Sequence, residues 1–154
     1  MKLFDYQEEA VKMLERNTSY ALFFRMGRGK TLPVLKFICN YIITHPVAKI
    51  LIIAPLAVAK DTWHNEAKKW GFNLKYVHVL GNKKQKAIDT EANVYITNRE
   101  SVVWLSSKGY INWDIIVVDE LSSFKDSKSQ RYRALVKFKA KRFIGLTGSP
   151  AANS

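Results

Sequence analysis

Apolar residues recur along this chain in two rhythms, and each predicts a different element. Between residues 4 and 17, Ala10, Val11 and Leu14 fall at helical spacing with Glu8, Glu9, Lys12, Glu15 and Arg16 on the other side, which predicts an amphipathic first helix. A short apolar strand follows over 20–24. After a glycine-containing turn, Leu35, Ile38, Cys39 and Ile42 mark one face of a helix from 30 to about 44, with Pro33 in its first turn, where proline is tolerated. Ile50-Leu51-Ile52-Ile53 is a continuous apolar run suited to a strand covered on both faces, and Pro55 ends it. The next helix is expected over 57–70, with Ala59, Trp63, Ala67 and Trp70 as its apolar stripe and Lys60, His64 and Lys68 opposite. That stripe assigns both tryptophans to the core.

Residues 74–80 alternate as an outer strand does, and 81–90 is polar and exposed, with Lys83, Lys84 and Lys86 close together. Residues 94–96 form another strand, after which Thr97 and Asn98 start a short helix carrying Val102, Val103 and Leu105, with Asn98 suited to be its N-cap. Ile115-Ile116-Val117-Val118 is the most uniformly apolar run, and it ends abruptly in Asp119-Glu120. Ser127 and Gln130 have capping-box spacing for a helix through Tyr132, Leu135 and Val136, and 143–146 is the last strand, leading into Thr147-Gly148-Ser149-Pro150. Strands alternating with helices, several of them apolar throughout, predict an α/β fold with a mostly parallel central sheet and helices on both faces. In such sheets ligands gather at the C-terminal ends of the strands. The glycine turn, Pro55, Thr97-Asn98, Asp119-Glu120 and Thr147 to Ser149 all fall there.

Size and charge narrow the picture. At 154 residues and 47% hydrophobic, the chain can bury one core, so residues 1–154 are expected to form a single domain. The apolar runs fall short of a membrane span, and Asp5, Glu8 and Glu9 close to Met1 argue against a signal peptide. The single Cys39 cannot form an internal disulfide and fits a reducing cytoplasm. His45, His64 and His78 lie on separate elements and suggest no metal cluster. Lys plus Arg exceed Asp plus Glu by 25 to 13, a net charge of +12, which favours a polyanionic partner such as nucleic acid over a merely solvated surface.

Candidate chemistry centres on residues 24–31, Phe-Arg-Met-Gly-Arg-Gly-Lys-Thr. Glycines let backbone N–H groups close around phosphate oxygens, the helix start adds a positive dipole end, Lys30 can reach the outer phosphates, and Thr31 is placed to hold Mg²⁺. The strict phosphate-loop pattern wants glycine where this chain has Phe24, so the match is to a looser form with Gly27 and Gly29, and an ordinary strand-to-helix turn is the alternative. Asp119 can hold the metal's shell while Glu120 orients or deprotonates water, the alternative being a solvent-facing turn.

With these residues in hand, the chain resembles the first RecA-like domain of superfamily-2 helicases, and within them the Swi/Snf-type double-stranded DNA translocases, particularly short bacteriophage-encoded members. Leu3-Phe4-Asp5-Tyr6-Gln7 resembles the Q motif, and Met26-Gly27-Arg28-Gly29-Lys30-Thr31 the family's phosphate loop. Ala54-Pro55-Leu56 with Trp63 and Trp70 resembles motif Ia, and Ile96-Thr97-Asn98-Arg99-Glu100 motif Ib. The stretch Asp119-Glu120-Leu121-Ser122-Ser123-Phe124-Lys125 is similar to motif II, and Leu146-Thr147-Gly148-Ser149-Pro150 to motif III. Leu121 and Ser149 depart from the residues commoner there, and Phe24 and Arg25 stand where acidic residues are usual; Arg25 and Arg28 either add charge near the phosphates or point to solvent.

The resemblance implies an N-terminal RecA-like P-loop ATP-binding lobe spanning 1–154, with ATP and Mg²⁺ as cofactors and DNA, read through its backbone, as partner. It implies that Gln7 reads adenine and that Met26, Gly27, Arg28, Gly29, Lys30 and Thr31 bind the nucleotide. Thr31 and Asp119 would hold Mg²⁺, Glu120 with Asp119 and Lys30 would serve hydrolysis, and Thr147 and Ser149 would couple nucleotide state to domain movement. Pro55, Leu56, Thr97 and Asn98 would touch DNA. The family's second RecA-like domain, which carries an arginine finger, is expected to be missing from these residues, so little turnover is expected of them alone. The rival is a stand-alone regulatory domain that keeps this fold and uses its basic face on DNA or a protein. A small phosphate-loop kinase would need an acceptor pocket and a lid, for which the residues offer nothing.

Overall fold

The structure, a computed structural model, describes residues 19–23, 31–124, 126 and 128–147, and for 19–23, Ser122 and Thr147 the backbone only. The expected first helix, Gln7, Met26 to Lys30 and Ser149 lie outside the described residues. Among these, six strands form one sheet: β1 (Ser19–Phe23), β2 (Ile50–Ala54), β3 (Tyr76–Val79), β4 (Val94–Asn98), β5 (Asn112–Asp119) and β6 (Lys139–Thr147). Their order is β1-β6-β5-β2-β4-β3 and every pairing is parallel. The helices are α1 (Thr31–Thr44), α2 (Trp63–Lys69), α3 (Lys84–Ile88), α4 (Ser101–Ser107) and α5 (Gln130–Leu135).

The unbroken apolar runs follow from that layering, because successive strand residues face opposite sides of the sheet. Ile50, Ile52, Ile115 and Val117 pack with Leu35 and Ile38 of α1 and Trp63 and Ala67 of α2. Leu51, Ile53, Ile116 and Val118 point the other way, toward Val102 and Leu105 of α4 and Ala134 of α5. Each fully buried Ile or Leu contributes about 1.5–3 kcal/mol relative to exposure, so a polar residue anywhere in these runs would be costly on either face.

Several boundaries differ from the sequence reading, each for a local reason. The helix expected over 57–70 is not uniformly α-helical: Val58–Thr62 is a π-helical turn leading into α2. An α-helical i, i+4 stripe drifts by about 40° per step. The wider π turn offsets that drift, and Ala59 and Trp63 are both buried. Trp70, expected in the core, is half-buried at the end of α2 with the Lys69 ammonium 5.2 Å over its ring. The helix expected at Thr97 begins only at Ser101, since Thr97 and Asn98 are the last residues of β4. Ser129 is the N-cap of α5, its hydroxyl accepting from the Tyr132 N–H at 3.1 Å, where Ser127 was expected. Strand β6 starts at Lys139, because Lys139 and Ala140 pair with Asn112 and Trp113 despite their polar surroundings in the sequence.

Candidate functional site

All-parallel pairing puts every strand's C-terminal end on one edge of the sheet. There Phe23 of β1 lies beside Thr147 of β6, and Leu146 of β6 beside Asp119 of β5. The C-terminal end of β1, the end of β6 and the acidic end of β5 therefore lie side by side, with β6 between the other two. Thr31, the first residue of α1, is 7% exposed.

Asp119 closes β5 with a side chain 1% exposed, and the indole Nε1–H of Trp63 donates to its Oδ2 at 3.1 Å. Glu120 follows at φ 61°, the one non-glycine residue of left-handed conformation among the described residues. An L-residue held there costs on the order of 1–2 kcal/mol. The turn is held by a short 3-10 helix, Leu121–Phe124: Ser123 N–H donates to the Glu120 carbonyl at 3.0 Å, and Phe124 is buried. Leu121, unusual for this motif, has a counterpart across the sheet. Its Cδ2 lies 2.6 Å from where a Cβ on Gly145 of β6 would stand, so glycine there leaves room for leucine here.

A second group of expected residues gathers at the ends of β2, β4 and β3. Leu56, Lys60, Leu80, Lys84, Asn98 and Trp104 line a groove of about 410 Å³, with Leu56 44% exposed. Asn98 is held in place: its Oδ1 accepts from the Ser101 hydroxyl, its Nδ2 donates to Glu100 at 3.2 Å, and Glu100 pairs with Arg131 at 3.0 Å. Thr97, expected beside Asn98 as a contact residue, is a correction. Its side chain is 0% exposed and its hydroxyl donates to the Val79 carbonyl at 2.7 Å, because it pairs with Val79 of β3 inside a sheet covered on both faces. Pro55, directly after β2, is half-buried. Lys60 and Lys84 were not singled out as site residues. Their signal was a lysine on the exposed side of the motif Ia helix and a lysine run after β3.

Two further features concern the histidines and the cysteine. His64 and His78, expected apart, meet with ring centroids 5.0 Å apart, edge to face, and Tyr76 stacks on His64. Burial, reinforced by His64, pushes the His78 pKa down. Among the described residues no three His, Cys, Asp or Glu side chains form a metal site, and no helix is long and apolar enough to cross a membrane. Cys39 is half-buried, and burial pushes its thiol pKa up.

A wholly parallel sheet covered by helices on both faces, with an acidic pair ending a buried strand on the loop-bearing edge, defines a RecA-like α/β domain. The solved Sulfolobus solfataricus SWI2/SNF2 ATPase core in complex with dsDNA shares this fold, with TM-score 0.87 and 24% identity over 100% of this chain and 33% of that one. The chain belongs to the SNF2-related domain family, whose model matches residues 6–154. It is 34% identical over 143 residues to protein p41 of Acyrthosiphon pisum secondary endosymbiont phage 1, covering 83% of this chain and 31% of that one. It is 29% identical over 153 residues to Helicase ssl-1 of Caenorhabditis elegans, covering 94% of this chain and 6% of that one. The chain thus spans about a third or less of the length of these relatives.

Proposed function

We propose that these residues are the ATP-binding lobe of a Swi/Snf-type, helicase-like DNA translocase, binding Mg-ATP at the mouth of β1, β6 and β5 and the DNA backbone in the groove at β2, β4 and β3. The observation that carries this reading is the end of β5, where the buried Asp119 carboxylate is followed by Glu120 in a strained backbone conformation, on the same edge as the start of α1. Strain of this kind persists where surrounding structure enforces it, and it clusters at sites that do chemistry.

In this reading Gln7 recognises the adenine, Met26 to Lys30 wrap the phosphates, and Lys30 meets the outer ones. A buried carboxylate and a threonine hydroxyl are hard oxygen donors suited to Mg²⁺, so Asp119 and Thr31 would hold that ion. Bound there, it would neutralise phosphate charge. Glu120 orients and deprotonates the attacking water, while Thr147 and Ser149 relay nucleotide state. Asn98, Leu56, Pro55, Lys60 and Lys84 meet the DNA backbone, giving affinity without sequence preference. Transition-state charge calls for an arginine whose contribution is on the order of 10³–10⁵ in rate. Here it comes from a second RecA-like lobe, so these 154 residues alone bind Mg-ATP with little turnover.

The test is equilibrium Mg-ATP binding and hydrolysis by the chain, with and without double-stranded DNA at fixed salt. Lys30→Ala should abolish nucleotide binding and leave the fold intact; equal ATP affinity in that variant would refute the site. Lys60→Ala and Lys84→Ala should each lower the slope of log affinity for DNA against log salt by about 0.9 for every phosphate the lysine had neutralised. DNA affinity wholly indifferent to nucleotide would favour the stand-alone regulatory domain.

A further inference from the structure

The hydrogen bond from Trp63 to Asp119 joins two regions that the chain keeps 56 residues apart. Trp63 is 1% exposed and opens α2 directly after the π turn Val58–Thr62. Lys60, inside that turn, and Leu56, just before it, line the groove at β2, β4 and β3. One short helical segment therefore bears groove residues at its start and, at its next turn, a donor to the buried carboxylate ending β5.

We propose that Trp63 is a positioning residue for Asp119, and that through it occupancy of the groove by DNA is transmitted to the Mg-ATP site; this rests on the functional reading above. Three physical points support it. An indole N–H can only donate, so Oδ2 must accept, and a hydrogen bond to a carboxylate is stronger than one between neutral groups. The bond restrains rotation of the carboxylate in a buried setting, as groups behind a metal ligand do; losing such a group typically lowers metal affinity or activity ~10–100-fold. A π turn is a local departure from α-helical geometry that recurs at functional sites, and here it contains the lysine that lines the groove and leads directly into the tryptophan that meets the carboxylate. A phosphate drawing on Lys60 bears on the turn that sets the position of Trp63.

A purely space-filling Trp63 would tolerate Trp63→Phe, which keeps an aromatic ring and deletes the N–H. The experiment uses the full chain and measures ATP binding by calorimetry across a Mg²⁺ titration, with and without a short DNA duplex, beside a urea denaturation curve. In the unmodified chain Mg²⁺ should tighten ATP binding, and the duplex should tighten Mg-ATP a further ~5-fold or more, with the reciprocal effect on DNA. Trp63→Phe should stay folded, bind ATP in EDTA as before, lose ~10-fold in the Mg²⁺-dependent part, and reduce the duplex effect to within about twofold. Unchanged Mg²⁺ dependence and an unchanged duplex effect would overturn the positioning role alone; no Mg²⁺-dependent ATP binding by the unmodified chain would overturn the functional reading with it.

A measurement on the unmodified protein covers the case in which the variant does not fold. The indole Nε1–H resonance of Trp63, assigned by elimination with Trp70→Phe, Trp104→Phe and Trp113→Phe, should shift on adding Mg-ATP and again on adding duplex. A resonance indifferent to both would overturn the proposal.

Discussion

Replacing Glu120 by glycine and by alanine separates its chemistry from its backbone strain. Both variants remove the carboxylate and all of its interactions, so their difference isolates the left-handed conformation at φ 61°. Alanine keeps the steric cost of that conformation, on the order of 1–2 kcal/mol. Glycine removes it but loses about 0.5–1 kcal/mol more chain entropy on folding. The net expectation is that Glu120→Gly is more stable than Glu120→Ala by ~0.5–1 kcal/mol. For a chain of this length that is ~1–4 °C in Tm. Urea denaturation and calorimetry of the pair measure it directly. Any DNA-stimulated ATP turnover, assayed on a form that supports it, should fall in both variants by ~10²–10⁴, as loss of a general base does. Glycine no more stable than alanine would refute the strain argument, and full turnover in either variant would refute the role of the carboxylate.

Gly145→Ala should cost about 1 kcal/mol or less, because its methyl would overlap Leu121 Cδ2, the end of a half-buried side chain that can turn aside; combining it with Leu121→Ala should recover that loss in a double-mutant cycle. Thr97→Val should lower stability by ~0.5–1.5 kcal/mol by removing the hydroxyl bonded to Val79, measured by denaturation; DNA affinity should not change, since the side chain is buried. His78 gives a pH dependence whose sign follows from its depressed folded pKa. The unfolded chain binds the proton first, so stability is intact above the ordinary histidine value near 6.5 and is lost as pH falls below it toward the folded value. Denaturation curves across that window should show the loss in the parent and a flatter profile in His78→Gln.

Much of the candidate site was legible because its residues sit at places where local pattern changes abruptly. Asp119 and Glu120 end the most apolar run in the chain, and Pro55 ends another; a parallel sheet then puts such breaks on one edge. Thr97 was misjudged because a motif marks residues near a site without saying which face of the strand each takes, and one step along a strand reverses the direction of a side chain. Asn98, its neighbour, is the one that lines the groove. The π turn was missed because the spacing of Ala59, Trp63 and Ala67 is compatible with an ordinary helix. The extension of β6 to Lys139 was missed because Lys139, Lys141 and Arg142 look like a loop until β5 supplies the pairing.

The amino-acid sequence by itself determined the alternation of strands and helices, the two-sided burial of the sheet and the positions of the acidic pair. These depend on periodicity and on residue type over a few neighbours. Tertiary structure alone decided that β6 lies between β1 and β5, that His64 meets His78, that Leu121 rests over Gly145, and that Trp63 donates to Asp119. Each of those depends on which distant elements become neighbours, and that is settled by packing of the whole sheet and its helices, for which no local pattern carries a unique signature.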